Sequence, residues 1–156
     1  MPILNYTTQV SATRTANELQ ALLGDKGAKR VSVDYNSEGD PVAVEFMITL
    51  AEQPIWFRLP CNVEGVHQAL LKQGTKIERK FRTRPQAQRV AWRIVKDWVE
   101  AQLAIVEARQ AEMAEVFLPY VIDRDGQSMF QRFKEAQQKQ LTSGTVVEGN
   151  FQTGTR

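Results

Sequence analysis

Apolar and polar residues alternate along this chain at two different periods, and each change of period marks a new element. From about Ser11 to Leu23 the period is helical: Leu19, Leu22 and Leu23 form a stripe, Thr15 and Glu18 stand at capping-box spacing, and Gly24 and Gly27 end the helix. The preceding segment, Ile3 to Val10, reads as a short edge strand. At Arg30 the period drops to two. In RVSVDY, Val31, Val33 and Tyr35 share one face, and after the turn NSEGDP the run VAVEFMITL sets Val42, Val44, Phe46 and Ile48 against Ala43, Glu45, Met47 and Thr49. AEQP supplies a second turn, and IWFRLP alternates Ile55, Phe57 and Leu59 with Trp56 and Arg58. Three such strands predict an antiparallel meander. Asn62 then caps a short helix, VEGVHQALLKQ, with Val63, Val66, Leu70 and Leu71 inward.

Thr83 and Pro85 open the longest helical pattern, which is read as one rod from Arg84 to Leu118, about 50 Å long at 1.5 Å per residue. It carries two apolar stripes. Trp92, Val95, Val99, Leu103, Val106, Met113 and Phe117 form one, and Ala87, Ala91, Ile94, Trp98, Ala101 and Ile105 form the other. Two stripes need two partners. The first is assigned to the sheet, on the face that carries Trp56 and Arg58, and the second to a copy of the same helix, so that a homo-oligomer is expected. Ser128 and Gln131 begin a last helix to about Leu141, expected to fold back on the rod. The predicted fold class is α+β: a three-stranded antiparallel sheet in α-β-β-β-α order, followed by one long helix and a C-terminal helix. Residues 1–75 form the sheet domain, 76–141 the basic linker and the helices packed on the sheet or on a partner subunit, and 142–156 a flexible tail.

Composition narrows the class. With 42% hydrophobic and 24% charged residues the chain has an ordinary globular balance, which argues against wholesale disorder. Its one cysteine, Cys61, excludes an intramolecular disulfide and a thiolate metal cluster. MPILNYTTQV has neither the cationic start nor the apolar run of a signal peptide, and no stretch reaches the roughly 18 apolar residues of a membrane span. A cytoplasmic protein without membrane contact is expected.

The near-neutral net charge of +2 conceals a strong local bias. Lys72, Lys76, Arg79, Lys80, Arg82, Arg84, Arg89, Arg93 and Lys96 are opposed in that run only by Glu78 and, at its end, by Asp97. Such clusters suit phosphate backbones, because each neutralised phosphate releases condensed counterion. Arginine adds a planar fork for phosphate oxygens, and Phe81 within the run offers a face for an unpaired base. A merely solvated link between two helices is the plainer reading of the same residues. Lys76, Arg79, Lys80, Phe81, Arg82, Arg84, Arg89, Arg93 and Lys96 are the candidate nucleic-acid site.

No catalytic pattern accompanies it. His67 is the single histidine, with no nucleophile placed beside it, and Cys61 after Pro60 reads as a small buried hydrophobe. Asp34, Glu45, Asp97 and Glu100 lack metal-ligand spacing, and neither a P-loop nor a dinucleotide fingerprint occurs. No catalytic residues, metal or cofactor are expected, and the chain is read as not an enzyme.

The stretches NYTTQVSATRT, FRLPCNVEGV, QRVAWRIVKDWVEAQLA, EVFLPY and GQSMFQRF resemble a family of small uncharacterised open reading frames, of no assigned function, from bacteriophages and other mobile elements. That resemblance implies a bacterial cytoplasm and a setting of replication, recombination, defence or anti-defence, but no site residues. Helix, three strands and helix is also the order of double-stranded-RNA-binding domains, whose lysine-rich second helix is missing, since Asn62 to Gln73 carries only Lys72. The expected function is that of a non-enzymatic nucleic-acid-binding accessory protein of a phage or mobile element. The alternative is a homo-oligomeric interaction or anti-defence protein that sequesters a host protein or an anionic nucleotide.

Overall fold

A computed structural model describes residues 1–143. The elements run α1 (Ala12–Asp25), β1 (Arg30–Tyr35), β2 (Pro41–Leu50), β3 (Gln53–Pro60), α2 (Val63–Gln73), α3 (Arg84–Glu107), α4 (Met113–Val116) and α5 (Met129–Thr142). The fold is α+β, with a single antiparallel sheet in the order β1-β2-β3. Its register follows the alternation of the sequence. Val31, Phe46 and Phe57 form one row across the sheet and Val33, Val44 and Leu59 another, while Ser32, Glu45 and Arg58 line up on the opposite face. Ala51 and Glu52 join β2 to β3, both at positive φ (49° and 63°), the local twist that a two-residue hairpin requires.

The front of the sheet, carrying Phe46 and Phe57, is covered by α1 and α3 side by side. Their inward residues meet there: Leu19 and Leu23 from α1, Trp92, Val99 and Leu103 from α3. Phe46 stacks on Phe57 at 4.8 Å, and Phe117 meets Phe46 edge-on at 5.5 Å. This placement corrects the expectation that the long helix would lie over Trp56 and Arg58. On that back face the Arg58 guanidinium is held by the carboxylates of Asp34 and Glu45, a polar lattice on which an apolar helix gains little. The core also crosses residue 75, because the front of the sheet is buried against Trp92, Val99, Leu103 and Phe117 as well as against α1.

The rod is shorter than predicted. It ends at Glu107, for a length of about 36 Å. Arg109 adopts φ 58°, Arg109 N donates to the Val106 carbonyl at 3.0 Å, and Gln110 N donates to the Ile105 carbonyl at 3.1 Å. These two bonds are the pair that closes a helix around a left-handed residue, normally glycine. The physical reason is visible in the stripe: no large apolar residue lies between Val106 and Met113. A straight helix would carry Phe117 away from the sheet, whereas the break returns it to the core with no exposed surface.

That return also supplies the second partner. Ala87 and Ala91 are buried, and α2, whose Leu70 packs with Ala87 and Ile77, covers the first turns of α3. Trp98 packs edge-on against Phe117 and Tyr120 at 5.5 and 5.4 Å. Ile94 and Ile105 are half-buried and Ala101 is exposed. The stripe assigned to another subunit is thus largely covered within the chain.

Two further expectations change. Residues 3–10 form turns and extended chain, not a strand. Their carbonyls are satisfied by a side chain: Gln86, buried on α3, donates its Nε2 to the Tyr6 and Thr8 oxygens at 2.8 and 3.0 Å. Asn5 Nδ2 adds a bond to Asp97 at 2.7 Å. The last helix, α5, does not fold back on α3. It meets the body at the Leu118–Tyr120 turn, and Met129, Phe130 and Phe133 on it remain 45%, 56% and 60% exposed. Most of the tail predicted to be flexible lies outside the described residues.

Two stability outcomes are expected in urea titrations. Arg109→Gly should stabilise the fold by about 0.5–1 kcal/mol, because glycine adopts the left-handed helix end without a Cβ clash. Gln86→Ala should destabilise it by about 2–3 kcal/mol, because it orphans two carbonyls and the Arg89 guanidinium.

Candidate nucleic-acid interface

The basic run folds as the link of a helical hairpin. Gly74, at φ 53°, ends α2, and residues 74–76 and 79–81 each form a single 3₁₀ turn. Two apolar residues anchor the link. Ile77 is buried with Leu70 and Ala87, and Phe81 meets Tyr6 edge-on at 5.6 Å. The Thr83 hydroxyl then accepts from Gln86 N at 3.3 Å and starts α3. With Ile77 and Phe81 directed inward, Lys76, Arg79, Lys80 and Arg84 are turned out to solvent, and Arg82 is half-buried.

Carboxylates of the same chain compensate only part of this charge. Lys80 pairs with Glu78 at 2.9 Å, Arg84 with Glu64 at 2.7 Å, Arg93 with Glu18 at 2.6 Å and Lys96 with Glu100 at 3.2 Å. Among the described residues, Lys76, Arg79 and Arg82 have no carboxylate partner. Arg89 binds a neutral group, its Nε and Nη2 donating to Gln86 Oε1 at 2.9 and 2.7 Å, so its charge is oriented but not neutralised. Arg82 Nε is buried with no hydrogen-bond partner among the described residues. A buried unsatisfied donor costs about 1–3 kcal/mol.

The nine candidate residues therefore separate into groups. Lys76, Arg79, Lys80, Arg82 and Arg84 share the turn between α2 and α3. Arg89 extends the basic surface one turn along α3, fixed by the amide that also holds the N-terminal segment. Arg93 and Lys96 lie farther along, and Arg93 is turned toward α1, where it also donates to Thr15 Oγ1 at 3.3 Å. Phe81, half-buried, packs edge-on against Tyr6 and anchors the turn, and Lys80 Nζ lies 4.9 Å from its ring centroid. The alternation and charge pattern did not reveal Gln86, which sits at capping-box spacing from Thr83 yet reaches across to Tyr6 and Thr8.

Other reactive groups are dispersed. Burial pushes the Cys61 thiol up to about 12, which leaves it protonated and poorly nucleophilic near neutral pH. His67 is half-buried on α2. No group of three or more His, Cys, Asp or Glu among the described residues is placed to hold a metal ion, and no helix there is long and apolar enough to cross a membrane.

Glu18 ties α1 to α3. The hydrogen bond from Arg93 holds its carboxyl below the usual range against the opposing effect of burial, with further help from the Arg93 charge and from Arg14. A depressed carboxyl adds stability above its unfolded pKa, about 4.3, and loses it as the pH falls through the folded value. Glu18→Gln should accordingly lower the urea midpoint at pH 7, and the gap from the unsubstituted protein should close as the solution is acidified below about pH 4. Comparison of the chain with protein-family models, with curated proteins and with solved structures finds no match, so the functional reading rests on these residues and their geometry.

Proposed function

We propose that this chain is a non-enzymatic protein that grips nucleic acid through its phosphate backbone at the turn between α2 and α3, as an accessory of a mobile element in a bacterial cytoplasm. One observation carries the reading: Lys76, Arg79 and Arg82 stand together without a carboxylate partner among the described residues, and one guanidinium N–H of Arg82 is buried without an acceptor. The adjoining Arg89 is aimed by a neutral amide, so its charge stays available. Positive charge in a rigid turn favours contacts to phosphate over base-edge readout, which calls for weak sequence preference and strong salt dependence. The setting among mobile elements rests on the sequence resemblance.

A second reading has its own support. The apolar side of α5, with Phe130 and Phe133 more than half exposed, flanks a cleft of about 610 Å³ walled by Pro60, Pro119, Tyr120 and Ile122. Exposed apolar surface of this kind suits a protein partner, as expected of a chain that sequesters a host factor.

Fluorescence anisotropy with labelled single- and double-stranded oligonucleotides tests the first reading. Replacing Lys76, Arg79 and Arg82 together with Ala should weaken binding and flatten the slope of log K against log salt by about 2–3. Lys80→Ala and Arg84→Ala, at sites with an internal carboxylate, should each cost less. An unsubstituted protein that ignores both oligonucleotides at low salt would defeat the reading, and retention of a host protein after nuclease treatment, abolished by Phe130→Ser with Phe133→Ser, would favour the second.

A further inference from the structure

The two outer edges of the sheet are treated differently. Along β3 the chain covers its own edge: Val121 bridges to Phe57, and Ile122 N donates to the Trp56 carbonyl at 2.9 Å. Along β1 no strand of the described residues pairs with the outer edge. The Val31 carbonyl points outward, since it accepts from Gln20 Nε2 at 3.2 Å, and the period of two directs the backbone of Val33 the same way. Open edges are ordinarily blunted by lysine, proline or an inward charge. Between Arg30 and Tyr35, β1 has no lysine and no proline, and its Arg30 and Asp34 lie on the back face with Ser32.

The geometry points to a second copy of this chain as the occupant of that edge, with β1 pairing antiparallel to its own equivalent about a two-fold axis at Ser32. In this register the outward backbone of Val31 meets that of Val33 in the other copy, and the reverse, so each donor finds an acceptor. Charge agrees. Arg30, exposed and without a carboxylate partner among the described residues, falls opposite Asp34 of the second copy, where the single Arg58 guanidinium is shared by Asp34 and Glu45 and leaves a net negative charge, and the two-fold repeats the pair. Centring the pairing on Asp34 would instead set two like charges against each other, which is unfavourable. On the front layer the flank of α1 above this edge presents Thr13, Asn17, Gln20 and Gly24, all exposed and uncharged, so two copies of α1 meet there without like-charge repulsion. Gln20 gives up the Val31 carbonyl to the incoming Val33 N–H. The result is one continuous six-stranded sheet with an isologous interface, distinct from the α3 stripe and independent of the basic turn.

Sedimentation equilibrium on the full chain over a wide concentration range should show reversible dimers. Arg30→Asp, at an exposed position, should raise the dimer dissociation constant about tenfold or more, whereas Arg30→Lys, which keeps the charge, should hold it within about threefold of the original. A second measurement fixes the register. Under mild oxidation Ser32→Cys should give a covalent dimer, because opposed residues at a non-hydrogen-bonded antiparallel site bring their Cα atoms to about 4.5 Å, within disulfide range. Ser37→Cys, in the exposed turn after β1, should not, and neither should the unsubstituted chain, whose Cys61 thiol is half-buried and protonated. A monomer at every concentration overturns the inference. So does a dimer that is indifferent to Arg30→Asp and in which Ser32→Cys links no faster than Ser37→Cys.

Discussion

Trp92, wholly buried with its indole N–H donated to the Pro41 carbonyl at 3.0 Å, fixes how α3 sits on the sheet. One polar contact in an otherwise apolar site sets both the rotation of the helix and its position relative to the start of β2. Once that is set, Val99 and Leu103 fall in line over Phe46 and Phe57, and Arg93 is presented to Glu18 of α1. Truncating a buried aromatic of this size costs about 3–5 kcal/mol, a large part of the roughly 5–15 kcal/mol that holds a domain together. Among the described residues, the long helices that bury the core, α1 and α3, both lie on the front of the sheet.

The same docking decides where the positive charge goes. With α3 held by the sheet and α2 packed beside its first turns, the residues between them must cross a short gap. Ile77 and Phe81 take the inward positions of that crossing, and Lys76, Arg79 and Lys80, interleaved with them, are turned out to solvent. The exposed basic turn is thus a by-product of apolar anchoring, made specific by what does not neutralise it. Glu64 and Glu78 reach Arg84 and Lys80, whereas Arg79 and Arg82 are left without a carboxylate partner among the described residues.

The strands and their register were legible because a half-buried sheet writes its two faces directly into alternate residues. Val33, Val44 and Leu59 align as that pattern requires. The end of α3 was not legible, because Arg109 adopts a conformation that glycine usually announces. Nor could periodicity say who covers a stripe: Ala87, Ala91 and Trp98 look like an interface until α2 and Phe117 arrive from distant parts of the chain. The cationic run was plain from composition, but the division between paired and unpaired cations depends on Glu18 and Glu64, which lie outside it in sequence. Gln86 shows the same limit, since its partners lie about eighty residues away.

The late return of Phe117 to the core, followed at once by the bridge of Val121 to β3, bears on how the chain matures on the ribosome. When β3 has emerged, the apolar front of the meander still lacks Trp92, Val99 and Phe117, and its outer strand lacks the cover that residues 121 and 122 bring. A nascent chain halted before that point carries an apolar face covered only by α1 and two open strand edges, a template for association with other unfinished chains. Arrival of residues 117 to 122, more than any single helix, is therefore what closes the front of the sheet and its β3 edge.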